Sequence, residues 1–300
     1  MNLSFLKDRP AKHRTLRPLA RAAVALSALE MGIASGADTE RPAKGVQDNS
    51  FLVEEAYNQE AGVVQHILTI SPDVGRNRNA GEREWALNFT QEWPVFSQAH
   101  QFSYTVPYSF VKSGGQSSNG IGDVLLNYRF QALMESDRTP AFAPRICLVL
   151  PTGDEDDGFG DGTVGWQVNL PVSKIVGDRW TVHANAGATL LPDVREHNLT
   201  SYNLAASAIY AVSPNFNLML EAVANWDEEA ADGGERDRSF SAVVSPGFRY
   251  AFNHANDAQT VVGLAVPIGV TRDAPDYGLI LYVSFEHFFI RPPANVIPGK

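Results

Sequence analysis

From about residue 59 to residue 290, apolar and polar side chains alternate, so that every second residue falls on the same face. That period of two marks strands with one side in an apolar medium. Trp85, Leu87, Phe89 and Trp93 stand on one face, opposed by Glu84, Asn88, Thr90 and Glu92. The pattern returns with Phe102 to Phe110, Val164 to Val172, Trp180 to Ala188, Phe216 to Trp226 and Val262 to Val270. About twelve segments are read, centred near residues 65, 88, 105, 127, 146, 168, 185, 205, 220, 245, 265 and 283. Each runs for roughly ten residues or more, the length a tilted strand needs to cross hydrocarbon. Strands of water-soluble sheets average about half that. The first, fourth and fifth segments alternate less cleanly, and no faces are assigned near residues 63–70.

The links between segments alternate in length. Long ones are expected at 71–81, 112–119, 152–161, 192–197, 227–237 and 271–276. Short ones are expected at 94–98, 135–140, 174–178, 213–214 and 253–257. Short turns at one end and longer loops at the other characterise outer-membrane barrels, and both termini on the turn side require an even strand count. The five tryptophans, Trp85, Trp93, Trp166, Trp180 and Trp226, all fall on the apolar face. Four of them sit near strand ends, where amphipathic rings meet lipid headgroups and form an aromatic girdle. Closure into a barrel leaves no unpaired edge in lipid. The expected fold is therefore all-β: a closed antiparallel transmembrane barrel of about twelve strands. A soluble β-sandwich or lipocalin-like barrel is the competing architecture.

Composition sharpens this picture. A mean hydropathy of -0.17 is compatible with the membrane, because each strand averages a lipid-facing with a lumen-facing set. Beyond the N-terminal region no apolar run approaches the length of a transmembrane helix. Residues 1–37 read as a signal peptide: Lys7, Arg9, Lys12, Arg14, Arg17 and Arg21, then a short apolar stretch, then Ser35-Gly36-Ala37. Glu30 interrupts the apolar stretch, and the competing reading is a basic tail. The formal net charge of -10, which becomes more negative once a basic signal is removed, argues against nucleic acid as a partner. The division expected is a signal peptide at 1–37, a periplasmic segment at 38–58, a barrel at 59–290 and a tail at 291–300, in the bacterial outer membrane.

The stretch from Asn49 to His66, NSFLVEEAYNQEAGVVQH, is the most distinctive in the chain. It resembles the opening motif of a family of outer-membrane proteins named for the phenol meta-degradation (MetA) pathway. Gly120-Ile121-Gly122-Asp123, Leu150-Pro151-Thr152-Gly153-Asp154 and Gly162-Thr163-Val164-Gly165-Trp166 add to the resemblance, which covers about residues 49 to 290. It implies an outer-membrane transporter with a link to aromatic catabolism, and it implies no catalytic residues. The chain departs from many such barrels in ending on a tail rather than on the aromatic residue read by the barrel assembly machinery, an expected partner beside lipid and small solutes.

A pore selects by what lines it. Asn88, Arg129, Arg145, Asn169, His183, Glu221, Arg249 and Glu286 fall on the polar face and are the lumen candidates. The three arginines are expected either to pair with Glu221 and Glu286 and stiffen the wall, or to orient anionic solutes. Glu54, Glu55, Tyr57, Asn58 and Gln59 precede the barrel and either enter it as a partial plug or lie at its periplasmic rim. The acidic run at 154–161 does not fit an EF-hand, and the histidines lack helical zinc spacing. No metal, cofactor or catalytic residue is expected, and Cys147 reads as a small strand residue. The function read is a channel for small solutes, aromatic or anionic compounds among them. A structural or adhesive barrel with a filled lumen and an outer-membrane lipid-modifying enzyme are the alternatives.

Overall fold

Where the sequence alternates, the chain pairs. The computed structural model describes residues 46, 48–74, 83–113, 116–230, 235–254 and 257–290. The signal expected at 1–37, the start of the segment after it and the tail at 291–300 lie outside the described residues.

The strands are β1 (Val63–Val74), β2 (Arg83–Val95), β3 (Ser97–Ser113), β4 (Gln116–Ile121), β5 (Val124–Phe130), β6 (Ala141–Phe142), β7 (Arg145–Leu150), β8 (Gly165–Asn169) and β9 (Val172–Val176). They continue with β10 (Trp180–Val194), β11 (His197–Ser213), β12 (Phe216–Ala230), β13 (Arg236–Asn253), β14 (Gln259–Ala265), β15 (Ile268–Gly269), β16 (Tyr277–Gly278) and β17 (Ile280–Phe288). Five of the barrel's staves are broken once: β4/β5, β6/β7, β8/β9, β14/β15 and β16/β17. The 17 elements thus make twelve antiparallel staves. Pro144, Pro171 and Pro267 stand at three of the breaks, since proline has no ladder N–H to give. β1 pairs with β2 on one side and with β17 on the other, from Val63↔Phe288 to Ile70↔Leu281, which closes the barrel. Every centre expected from the sequence falls within its stave.

Alternation sets the faces. Leu204 and Leu220 are each 53% exposed on the outside, while Asn203, Ser207 and Glu221 of the same strands point inward. The unclear faces of β1 now have a cause. Its lumen-facing Ile67 packs in an internal apolar cluster with Phe51, Ile209, Met219, Val261, Ile280 and Tyr282, so apolar residues occupy both faces. The fourth and fifth segments are the broken staves β4/β5 and β6/β7.

The loop lengths need correction. β3 and β4 stay paired to Ser113↔Gln116, and β10 and β11 to Val194↔His197. The expected long links at 112–119 and 192–197 are therefore mostly strand, the second turning on Arg195 and Glu196 at φ 49° and 71°. Beyond the hydrocarbon both faces meet water, so the apolar period fades while the hydrogen-bonded ladder continues. Conversely, the expected short link at 135–140 widens to residues 131–140, between β5 and β6.

Candidate functional site

Before β1 the chain runs inside the barrel. Residues 48–62 have no strand partners of their own, so their backbone groups are met by side chains from the inner wall. The Asp48 carboxylate accepts from Tyr282 Oη at 2.6 Å, Ser284 Oγ at 2.5 Å and Gln65 Nε2 at 2.6 Å. Arg249 Nη1 donates to the carbonyls of Asp48 and Asn49 at 2.6 and 2.7 Å. Ser50 meets Ser207 at 2.9 Å. The N–H groups of Leu52 and Val53 donate to Glu221 Oε1 at 2.9 and 3.2 Å. Asn185 accepts from Glu54 N at 2.6 Å and donates to its carbonyl at 2.8 Å. Ala56 N donates to Ser173 Oγ at 2.7 Å. Arg129 then donates to the carbonyls of Glu55 and Tyr57 at 3.0 and 2.9 Å and to Asn58 Oδ1 at 2.9 Å. Gln59 N donates to Gln101 Oε1 at 2.7 Å, and the Gln59 side chain reaches Gln65.

In sequence order these contacts pass from β17 and β13 through β11, β12, β10, β9 and β5 to β3 and β1. The segment is a belt around the inner wall, in the half of the barrel nearer the short turns. Its apolar side chains match the wall they cross. Phe51 packs against Tyr282 with centroids 4.9 Å apart and the rings tilted by 34°, and it fills the space that Gly263 leaves by having no side chain. Val53 packs with Ala205, Val223, Val243 and Ala274, the last from the loop after β15, which folds inward. Burying Phe51 and Val53 contributes about 1.5–3 kcal/mol each.

Charge decides the other half. Arg145 holds Glu54 through Nε at 2.8 and 2.9 Å and Nη2 at 2.6 Å. Burial alone would push the Glu54 carboxyl up, but the Arg145 guanidinium outweighs it and holds the group at about 2. At the start of the belt, burial raises Asp48 despite Arg249 and its hydroxyl partners. Below the belt, Tyr57 Oη donates to Glu135, which also accepts from Ile175 N at 2.9 Å and pairs with Lys174 at 2.9 Å. Met134 packs against Ala56, Tyr57, Ala141 and Ala143. The 131–140 segment thus floors the belt on the turn side.

All eight lumen candidates face inward, but not as a free lining. Arg129, Arg145 and Arg249 spend their donors on the belt and on neighbouring side chains, so their partners are belt carbonyls and Glu54 in place of the wall acids Glu221 and Glu286. Glu221 itself holds the belt. His183 shares a 2.7 Å hydrogen bond with Ser173, behind Ala56. Asn169 stands beside Arg145 in register. Glu286 lies level with Gln65 and Gln259 near the turn end. Asn88 alone sits in the loop-side half, where Thr90, Thr105, Gln167 and Asn203 are also half-buried and uncharged. Glu54, Glu55, Tyr57, Asn58 and Gln59 all lie in the belt, which extends back to Asp48. Sequence reading missed Asp48, Gln65, Gln101, Asn185 and Ser207. Gln101, Asn185 and Ser207 were visible as polar residues in phase with the candidates, whereas Gln65 lies where the sequence of β1 shows no clear faces.

The outward tryptophans fall at two levels, Trp85, Trp166 and Trp226 toward the loops and Trp93 and Trp180 toward the turns. The first two glycine-rich patches, 30 residues apart, meet in space, and Asp161 joins them from just before the third. Asp123 accepts from Gly153 N through Oδ1 and from Asp161 N through Oδ2, both at 2.9 Å. Thr152 Oγ1 donates to the Gly122 carbonyl at 2.9 Å and accepts from Val124 N at 2.9 Å. A Cβ on Gly120 would come within 2.6 Å of the Phe159 ring, so the glycine makes room for it. The patches thereby latch the loop between β7 and β8 against the inner wall.

A model of the family described as "Putative MetA-pathway of phenol degradation" matches residues 86–285. No curated protein matches the chain. Among solved structures, the COG4313 outer membrane channel from Pseudomonas putida F1 is similar with a TM-score of 0.59 at 14% identity, covering 81% of this chain and 100% of that one. A NanC porin is similar at a TM-score of 0.46 and 7% identity, covering 75% of this chain and 100% of that one. The fold is that of an outer-membrane barrel.

Proposed function

The chain belongs to the MetA-pathway phenol-degradation family, and on that premise we propose that it is a channel of the bacterial outer membrane whose lumen is gated by the belt of residues 48–62. The solutes proposed are small and uncharged or weakly polar, aromatic compounds among them. One observation carries this reading: the three lumen arginines are already committed to the belt, while the half-buried lining above it is polar, neutral at Asn88, Thr90, Thr105, Gln167 and Asn203 and acidic at Glu84 and Asp227. Such a lining offers hydrogen bonds to a hydroxyl group, and its acids disfavour a carboxylate. Anion selectivity would require the belt to leave and free its guanidinium groups. The Ser173–His183 contact lies in the lumen behind the belt, and its hydroxyl accepts from Ala56 N. It serves the belt and faces away from lipid.

The test is single-channel conductance in planar bilayers of the whole chain and of a variant lacking residues 48–58. The intact barrel is expected to conduct weakly and the deletion variant several-fold more, with phenol-type solutes entering vesicles faster than benzoate-type anions through the intact form. A folded deletion variant that stays silent would defeat the channel reading and favour a filled, structural barrel.

A further inference from the structure

Outside the lumen, at the seam where the first and last staves join, two histidines come together. His66 lies on β1 and His287 on β17, diagonally placed in a register that pairs Val64 with His287 and His66 with Phe285. Both face outward, and His287 is the penultimate residue of its strand, so the pair lies at the turn end near the water interface. Their Nε2 atoms are 3.4 Å apart. The rings lie 5.5 Å apart, 20° from parallel, and Phe89 and Phe285 stack on either side of His66 with centroids at 6.4 Å.

We propose that His66 and His287 bind a borderline divalent cation, zinc, nickel or copper(II), and so tie the first stave to the last. His287 Nδ1 is 3.1 Å from the Phe288 carbonyl oxygen, which can only accept, so Nδ1 carries the proton and Nε2 presents a lone pair. A ligating histidine is held in the same way, its second nitrogen donating to a carbonyl. Two metal–nitrogen bonds of about 2.0–2.1 Å whose nitrogens are 3.4 Å apart enclose about 110°, the tetrahedral angle. Imidazole suits these metals, and water fills the remaining positions. With no metal, His66 Nε2–H donates to His287 Nε2 across a distance long for a hydrogen bond. Binding moves that proton to His66 Nδ1, and no proton is lost overall. The histidines stand 221 residues apart, so no local spacing announces the site. A bound cation stabilises the closed seam by mass action, with the logarithm of one plus its concentration over Kd.

The experiment uses the refolded full chain in detergent micelles, titrated with Zn²⁺ while thermal unfolding is followed. Zn²⁺ is expected to raise the unfolding temperature. His66→Gln and His287→Gln should each weaken binding by at least about tenfold, while His254→Gln, whose ring also lies 6.4 Å from Phe285, should bind as the wild type does. No zinc-dependent shift in the wild type, or an equal shift in both seam variants, would overturn the proposal. Should a variant not refold, paramagnetic resonance of Cu²⁺ on the wild type decides instead. Two coordinating imidazole nitrogens support the site, and one or none refutes it.

Discussion

Glu54 is where the belt's hold is most sensitive to a single proton. Its carboxyl is drawn from 4.5 to about 2 by Arg145, a difference on the order of 3 kcal/mol before solvent screening. The side chain is 26% exposed, which reduces the figure. Because the folded value lies below the ordinary one, this stabilisation is fully present above about pH 4.5 and is lost as pH falls toward 2. Asp48 works in the opposite sense: burial raises its carboxyl, so its charge costs stability at neutral pH and acid relieves that cost. The start and the middle of the belt should therefore respond oppositely to acid. Amide exchange read by mass spectrometry should show residues 54–56 losing protection between pH 4.5 and 2. Glu54→Gln should flatten that dependence and expose the same amides at neutral pH. Equal protection of wild type and variant at every pH would show that Arg145 does not anchor the belt. The inward direction of Arg145 was legible, because the parity of β7 fixes it. Its partner was not, because Glu54 lies in a stretch with no period to place it.

At the scale of elements, the same contrast recurs. Strands announced themselves because lipid and lumen impose opposite polarity on successive residues, whereas belt and loops obey hydrogen-bond geometry that leaves no period. The patches around Asp123, Gly153 and Asp161 were visible as motifs, yet their meeting depends on a fold that brings β4, β7 and β8 together. Their joint effect is testable. Each charge-assisted bond from Asp123 to a backbone N–H is worth about 1.5–3 kcal/mol, and the acidic run 154–157 hangs from the latch they form. Asp123→Ala removes both bonds and should release the loop, so that an added protease cleaves near residues 154–157 several-fold faster in the variant while the barrel stays whole. Cleavage at the wild-type rate would mean that the Thr152 hydrogen bonds and the Phe159 contact with Gly120 hold the loop without Asp123.

For the whole molecule, the decisive question is what solvent surrounds the outer face, since closure and strand count alone would also suit a barrel in water. Leu204 and Leu220, each 53% exposed near mid-strand, are ordinary surface residues if that solvent is water and are buried in hydrocarbon if it is lipid. The difference is large enough to measure. A charge at the bilayer midplane of a barrel costs about 2–4 kcal/mol, falling to about 0–1 near the interface. Leu204→Arg should therefore lower the urea-unfolding free energy in lipid vesicles by that larger amount. Val212→Arg, toward the turn end of the same strand and 43% exposed, should cost little. Two outward positions eight residues apart then act as a depth gauge, because local packing at an exposed site cannot separate them so far. Equal and small costs at both would remove the hydrocarbon from around β11 and with it the membrane-spanning reading. A steep difference would place Trp180, which lies level with Tyr210 in the register of the neighbouring strand, at the turn-side headgroup level.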